Sequence, residues 1–86
     1  MATQQEEMKA TIKEYILREF LPGENPDSLV DTTPLITGGV LDSIATIKLI
    51  TFLEQRYEIK IEPHEMNADY FDFLPDIAAL VKARQA

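Results

Sequence analysis

Apolar residues recur at helical spacing in the first quarter of the chain. The recurring residues are Met8, Ile12, Tyr15, Ile16 and Phe20. Intervals of three and four residues place such side chains on one face of a helix. The pattern predicts a first helix over residues 3–20, which Pro22 and Gly23 bring to an end.

A second helical repeat follows Asp42 and Ser43, which are both good capping residues. Its inward side chains are expected to be Thr46, Leu49, Ile50, Leu53 and Tyr57. No Gly or Pro interrupts the segment, so it predicts a second helix ending near Tyr57. Ile44 and Ile47 fall on a neighbouring stripe that we expect to be at least partly exposed. The alternative is a central helix that buries both stripes.

Two further helices are predicted towards the C-terminus. Residues 65–71 favour one short helix, whose apolar side chains are Met66, Tyr70 and Phe71. Pro75 is expected to open a last helix. Its inward side chains are expected to be Ile77, Leu80 and Val81. Residues 59–61 alternate like a strand, but a single triplet has no partner strand in this chain.

Residues 23–39 show no sustained periodicity and are interrupted by glycine and proline. They predict a long ordered loop with the isolated apolar residues Leu29, Val30, Leu35 and Ile36. We expect its scattered Leu and Ile side chains to pin it across the core. The predicted fold is therefore all-α: a small bundle of three main helices and one short helix, with a long loop between the first two.

Composition and charge narrow the possible functions. With 86 residues, of which 45% are apolar, we expect one folded domain over residues 1–86. The N-terminus lacks the features of a signal peptide and no apolar run spans a bilayer, so a cytoplasmic protein is expected. The net charge of -7 disfavours nucleic acids and anionic membranes as partners. That charge serves solubility alone, or it matches a positive patch on a partner protein.

The sequence contains few of the residues that catalysis or metal binding would need. There is no cysteine, which excludes disulfides and thiolate sites, and the single His64 makes a zinc site atypical. Asn67, Asp69 and Asp72 lack the spacing and glycine of a calcium loop, so no metal site is expected. A hydrolase using Ser43 would need an oxyanion hole and a substrate pocket, for which the chain has little material.

Ser43 alone would be interpreted as a helix cap, but its surroundings are more specific. Residues 34–44 read Pro-Leu-Ile-Thr-Gly-Gly-Val-Leu-Asp-Ser-Ile, and an amphipathic helix with a closing aromatic, Tyr57, follows. Over essentially its whole length the chain resembles the acyl and peptidyl carrier protein family. The Gly-Val-Leu-Asp-Ser form is most similar to D-alanyl carrier proteins and to free-standing carriers served by adenylate-forming ligases.

The resemblance implies a carrier rather than an enzyme. Ser43 would be modified with 4'-phosphopantetheine by a phosphopantetheinyl transferase, with Asp42 as the preceding aspartate and Ile44 beside the arm. A ligase would activate a carboxylic acid, the arm would hold it as a thioester, and a downstream acyltransferase or synthase would receive it. We expect a monomer. The alternative is an unmodified helical module for protein–protein interaction.

An apolar patch beside Ser43 is a candidate recognition surface. We expect Val40, Leu41, Ile44 and Ile47 to dock the ligase and the transferase, because apolar patches with polar rims commonly mark interaction sites. The second helix of fatty acid carriers is typically strongly acidic, whereas this one contains Lys48 and Arg56. This departure counts against fatty acid synthase enzymes as partners.

Overall fold

Four α-helices form the framework in the computed structural model, which describes residues 4–85. They are α1 (Gln4–Phe20), α2 (Ser43–Tyr57), α3 (Ala68–Phe71) and α4 (Leu74–Arg84). Two short 3-10 turns, Pro26–Ser28 and Pro63–Glu65, lie in the connections, and these residues contain no strand. The predicted all-α bundle of three longer helices and one short helix is confirmed. The predicted start of the first helix, Thr3, lies outside the described residues.

The core lies between the long helices and is closed by the first loop. α1 packs most extensively against α4. The largest fully buried side chains are Ile12, Ile16, Leu29, Leu35, Leu41, Leu49, Leu53, Ile61, Phe71, Leu74, Ile77 and Val81. The predicted inward residues of α2 and α4 are confirmed, except that Tyr57 is only half-buried at the edge. No helix within residues 4–85 is long and apolar enough to cross a membrane.

An aromatic cluster joins α1 to α2 at the rim of the core. Tyr15 and Phe20, predicted on the inward stripe of α1, are half-buried rather than buried. The Tyr15 ring stacks on Phe52 with centroids 4.1 Å apart and meets the Phe20 ring edge-on at 5.7 Å. The Tyr15 hydroxyl donates to the Lys48 carbonyl oxygen at 3.3 Å. An exposed hydroxyl on a packed ring explains why these positions follow the helical period without being enclosed.

The long loop is pinned by its Leu and Ile side chains, as predicted. Leu29 and Leu35 are buried, and Ile36 is half-buried against the core. Val30, the other apolar residue of this segment, is 48% exposed. Neighbouring residues in an extended segment point to opposite sides, so Leu29 and Val30 cannot both face the core.

The short helix predicted over residues 65–71 is divided in two. Glu65 ends a 3-10 turn, and α3 begins only after Asn67, whose side-chain oxygen accepts the Asp69 N–H at 2.8 Å. This capping bond competes with a continuous helix. Met66 and Tyr70 are exposed, whereas Phe71 is buried.

The last helix begins one residue before the predicted position. Leu74 is its first residue and Pro75 its second, a place where proline is also well tolerated because no helical hydrogen bond needs its missing N–H. The buried carboxylate of Glu65 pairs with Arg84 near the end of this helix. The pair fastens the turn before α3 to α4.

Candidate functional site

The turn before α2 depends on two glycines. A Cβ on Gly38 would collide with the Pro34 carbonyl oxygen, and Gly39 has a φ of +84°, which L side chains rarely adopt. The Leu41 N–H then donates to the Leu35 carbonyl oxygen at 2.8 Å. The closed turn directs the Leu41 side chain into the core and delivers the next residues to the start of a helix.

Asp42 fixes the first turn of α2. Its backbone is extended, and its Oδ1 accepts the Ala45 N–H at 2.7 Å. Its carbonyl oxygen accepts both the N–H and the hydroxyl of Thr46, at 2.9 Å and 2.8 Å. Asp42 therefore acts as the helix cap, which sets the position of the serine that follows.

Ser43 is the first residue of α2 and is exposed. Among residues 4–85, no hydrogen bond engages its hydroxyl, its own N–H or the N–H of Ile44. The positive end of a helix dipole and two unused N–H groups favour a negatively charged group at this place. The residues present therefore fit a phosphate ester on Ser43.

The same geometry does not activate Ser43 as a nucleophile. A catalytic serine needs a base within hydrogen-bonding distance, and Ser43 has no hydrogen-bonded partner in the described part of the chain. His64 is exposed at the surface of a 3-10 turn, where its carbonyl oxygen accepts the Asn67 side-chain amide. Between residues 4 and 85 there is no cluster of three or more His, Cys, Asp or Glu residues positioned to hold a metal ion.

An open groove of about 580 Å³ runs beside Ser43. Its walls come from the first loop, α2 and the segment before α3. The lining residues are Ile36, Leu41, Asp42, Ser43, Thr46, Ile47, Ile50, Met66, Asn67 and Ala68. Aliphatic side chains make up most of its surface, so an apolar group attached near Ser43 can pack in this groove.

Asp72 joins the two sides of this groove. Its Oδ1 accepts the N–H groups of Ile36 and Thr37 at 2.8 Å and 2.9 Å, and its Oδ2 accepts the Thr37 hydroxyl at 2.8 Å. Its carbonyl oxygen accepts the Leu35 N–H at 2.7 Å. These bonds, above all that from the Thr37 N–H, hold the pKa of the Asp72 carboxyl below its ordinary value.

From the sequence, Asp72 was interpreted only as a possible calcium ligand, and its structural role was not predicted. A signal was present, since Asp72 stands between Phe71 and Phe73. A buried carboxylate requires hydrogen-bond donors. Which donors it meets follows only from the tertiary structure.

The predicted recognition residues divide into two groups. Ile44 and Ile47 are 66% and 60% exposed, as expected for the stripe beside the core face. Val40 is half-buried against the core. Leu41 is only 2% exposed, so its predicted place on a docking surface is wrong, because the glycine turn directs it inward. The role of the others in recognition stays a prediction.

In this helical bundle an exposed serine lies at a capped helix start, and no base among residues 4–85 is hydrogen-bonded to its hydroxyl. Such a serine is suited to carrying a group that other proteins attach and use. No family model matches the chain. It is 30% identical over 79 residues to the probable acyl carrier protein PigG of Serratia sp. (strain ATCC 39006), covering 92% of this chain and 90% of that protein. The chain belongs to the acyl carrier protein family. It is accordingly a carrier and not an enzyme, and phosphopantetheine is the prosthetic group of this family in general.

Proposed function

We propose that Ser43 is the attachment point of a 4'-phosphopantetheine arm and that the chain carries a carboxylic acid on it. When bound, the arm supplies the thiol that holds the acid as a thioester. The observation that carries the assignment is Ser43 itself, exposed at the first position of α2 beside two unused backbone N–H groups. The Ser43 oxygen would form a bond to the phosphorus that carries the pantetheine of coenzyme A and lose its proton to the transferase. The bond from that phosphorus to the bridging pyrophosphate oxygen would break, and adenosine 3',5'-bisphosphate would leave.

The chain's own residues would hold and orient the phosphate. The N–H groups of Ser43 and Ile44 face the negative charge, and Asp42 keeps the helix start in place through its bond to Ala45. The loop that ends in Gly39 leaves Ser43 at the surface, where another enzyme can reach it. None of these residues performs the chemistry of thioester formation.

We infer that three kinds of enzyme use this site in succession. A phosphopantetheinyl transferase attaches the arm from coenzyme A. An adenylate-forming ligase then loads an acid or amino acid, and a downstream acyltransferase or synthase removes it. The Gly-Val-Leu-Asp-Ser motif supports a ligase as the loading enzyme, and the chain is proposed to meet each enzyme as a monomer.

The exposed side chains next to Ser43 are proposed to make contact with these enzymes. We name Ile44 and Ile47, together with Val40 at their edge, the docking face. Two exposed isoleucines three residues apart on one helix form a small apolar anchor. Leu41 supports this surface from below and does not belong to it.

Intact mass spectrometry after incubation with a phosphopantetheinyl transferase and coenzyme A tests the assignment. The wild-type chain should gain one arm, and Ser43→Ala should gain none while keeping the helical circular dichroism spectrum of the wild type. Ser28→Ala is the matched control, because Ser28 is the other serine of the chain and is also exposed. It should be modified like the wild type.

Two outcomes would contradict the proposal. An arm on Ser28 or on a threonine would show that the attachment point is misplaced. No change in the mass of the folded wild-type chain, with a transferase that modifies another carrier under the same conditions, would favour an unmodified interaction module.

A further inference from the structure

The charge of the docking face differs from that of the whole molecule. The chain has 15 acidic and 8 basic residues. Within α2, however, Glu54 is the only acid, and it is accompanied by Lys48 and Arg56. The acidic excess therefore lies on the other elements, and the net charge of the chain does not describe the surface around Ser43.

The acids that flank this surface are held by backbone groups. The Oδ1 of Asp42 accepts the Ala45 N–H at 2.7 Å, at the very start of the helix. Glu54 lies 12 residues later, about 18 Å further along the helix axis at 1.5 Å per residue. Its Oε2 accepts the Ile61 N–H at 3.0 Å, and its side chain is half-buried. Between them α2 carries no carboxylate.

Lys48 is the one charged residue on the exposed side of α2 between those acids. Ile47 lies three residues after Ile44 and Lys48 lies four residues after it, so both side chains neighbour Ile44 on the helix surface. No ion pair within residues 4–85 involves Lys48. Lys9 of α1 differs, because Glu6 and Asp31 hold its ammonium at 3.1 Å and 2.8 Å.

We propose that the docking face, together with Lys48, fits an apolar pocket bordered by carboxylate on the transferase that modifies Ser43. This inference rests on the proposed function. A carboxylate at the pocket edge would pair with Lys48 while the isoleucines fill the pocket. A basic groove would place its cations against Lys48, and like charges that face each other at a contact cost free energy.

The overall negative charge does not reverse this argument. At physiological ionic strength the Debye length is about 8 Å, so exposed charges that lie farther than this from the contact are largely screened. Charges at the contact itself decide which partner is accepted. The relevant sign is that of Lys48.

The sign of a charge-reversal effect tests the proposal. The measurement is kcat/KM for arm attachment, with a purified phosphopantetheinyl transferase that modifies the wild-type chain. Lys48→Glu should lower kcat/KM about fivefold and Lys48→Gln about twofold, in keeping with an exposed charge pair. Thermal melting should remain that of the wild type, because the side chain is exposed.

Lys13→Glu is the matched control. Lys13 also lies in the middle of a long helix and makes no ion pair among the described residues. This variant changes the net charge of the chain as Lys48→Glu does, but it should leave kcat/KM unchanged. An equal loss in both variants would show an effect of total charge and overturn the inference.

A different response of Lys48→Glu would contradict the inference. If this variant raises kcat/KM or leaves it unchanged, the transferase does not present a carboxylate to this face. This test is independent of the test of the proposed function, because the proposed function is judged by the final extent of modification at Ser43. A wild-type chain that is fully modified while Lys48→Glu reacts faster would refute only the partner chemistry.

Discussion

Replacing Leu53 by alanine tests the packing that holds α2 against the rest of the bundle. Leu53 is completely buried in the main core cluster. The substitution removes three carbon atoms, each worth about 0.8 kcal/mol of burial, so the transfer term alone is about 2.4 kcal/mol. A residual cavity adds to this loss, which brings the expected destabilisation to about 3–4 kcal/mol, within the usual range for such substitutions.

That loss is large for a domain of this size. At about 0.05–0.15 kcal/mol per residue, the whole free energy of unfolding is about 4–13 kcal/mol. Urea denaturation followed by circular dichroism should show a much lower midpoint, and the melting temperature should fall by about 12–32 °C. Both measurements are made on the chain without the arm, so that modification does not change stability.

Ile47→Ala is the matched control for this experiment. It also removes three carbon atoms from α2, but the Ile47 side chain is 60% exposed. Its effect should stay within about 0.5 kcal/mol, as for ordinary surface substitutions. Equal effects of the two variants, or no loss of stability in Leu53→Ala, would show that the inward face of α2 is assigned incorrectly.

Two further predictions concern recognition and acid stability. Ile47→Glu places a charge in the docking face and should lower kcat/KM for arm attachment about tenfold, equivalent to about 1.4 kcal/mol, without unfolding the chain; unchanged kinetics would remove Ile47 from the docking face. The pKa of the Asp72 carboxyl lies below its ordinary value of 3.8, chiefly because the Thr37 N–H donates to it. Its stabilisation is therefore present above pH 3.8 and is lost as the pH falls through the lower value in the folded state. Asp72→Asn should flatten the fall of the urea midpoint in this acidic range, and an unchanged slope would contradict the role of the carboxylate.

Periodicity was sufficient to predict the long helices. α1, α2 and α4 each bury a stripe against neighbours, and such stripes are visible in the order of residues alone. The start of α2 was predictable because Asp42 acts locally, on an N–H three residues away. Local hydrogen bonding and helical spacing need no knowledge of the rest of the fold.

The loops and the short helix were harder to predict because distant contacts decide them. Whether Leu41 faces inward depends on the backbone turn at the preceding glycines, for which no periodic pattern exists. The segment around Glu65 is fixed by Arg84, which lies 19 residues away in sequence. Asn67 then prefers its capping bond to a place inside a continuous helix.

The hydrogen bonds of Asp72 make the native position of Ser43 depend on a segment that is synthesised after it. Its carboxylate accepts the N–H groups of Ile36 and Thr37, which lie 36 and 35 positions earlier in the sequence, in the loop that leads to Ser43. The ribosome therefore synthesises α2 and its serine before it adds the acceptor for that loop. Closing so long a loop costs entropy that is recovered only when the C-terminal segment packs. A transferase that requires the native turn would modify finished molecules and pass over nascent ones, so attachment of the arm would mark chains that have completed folding.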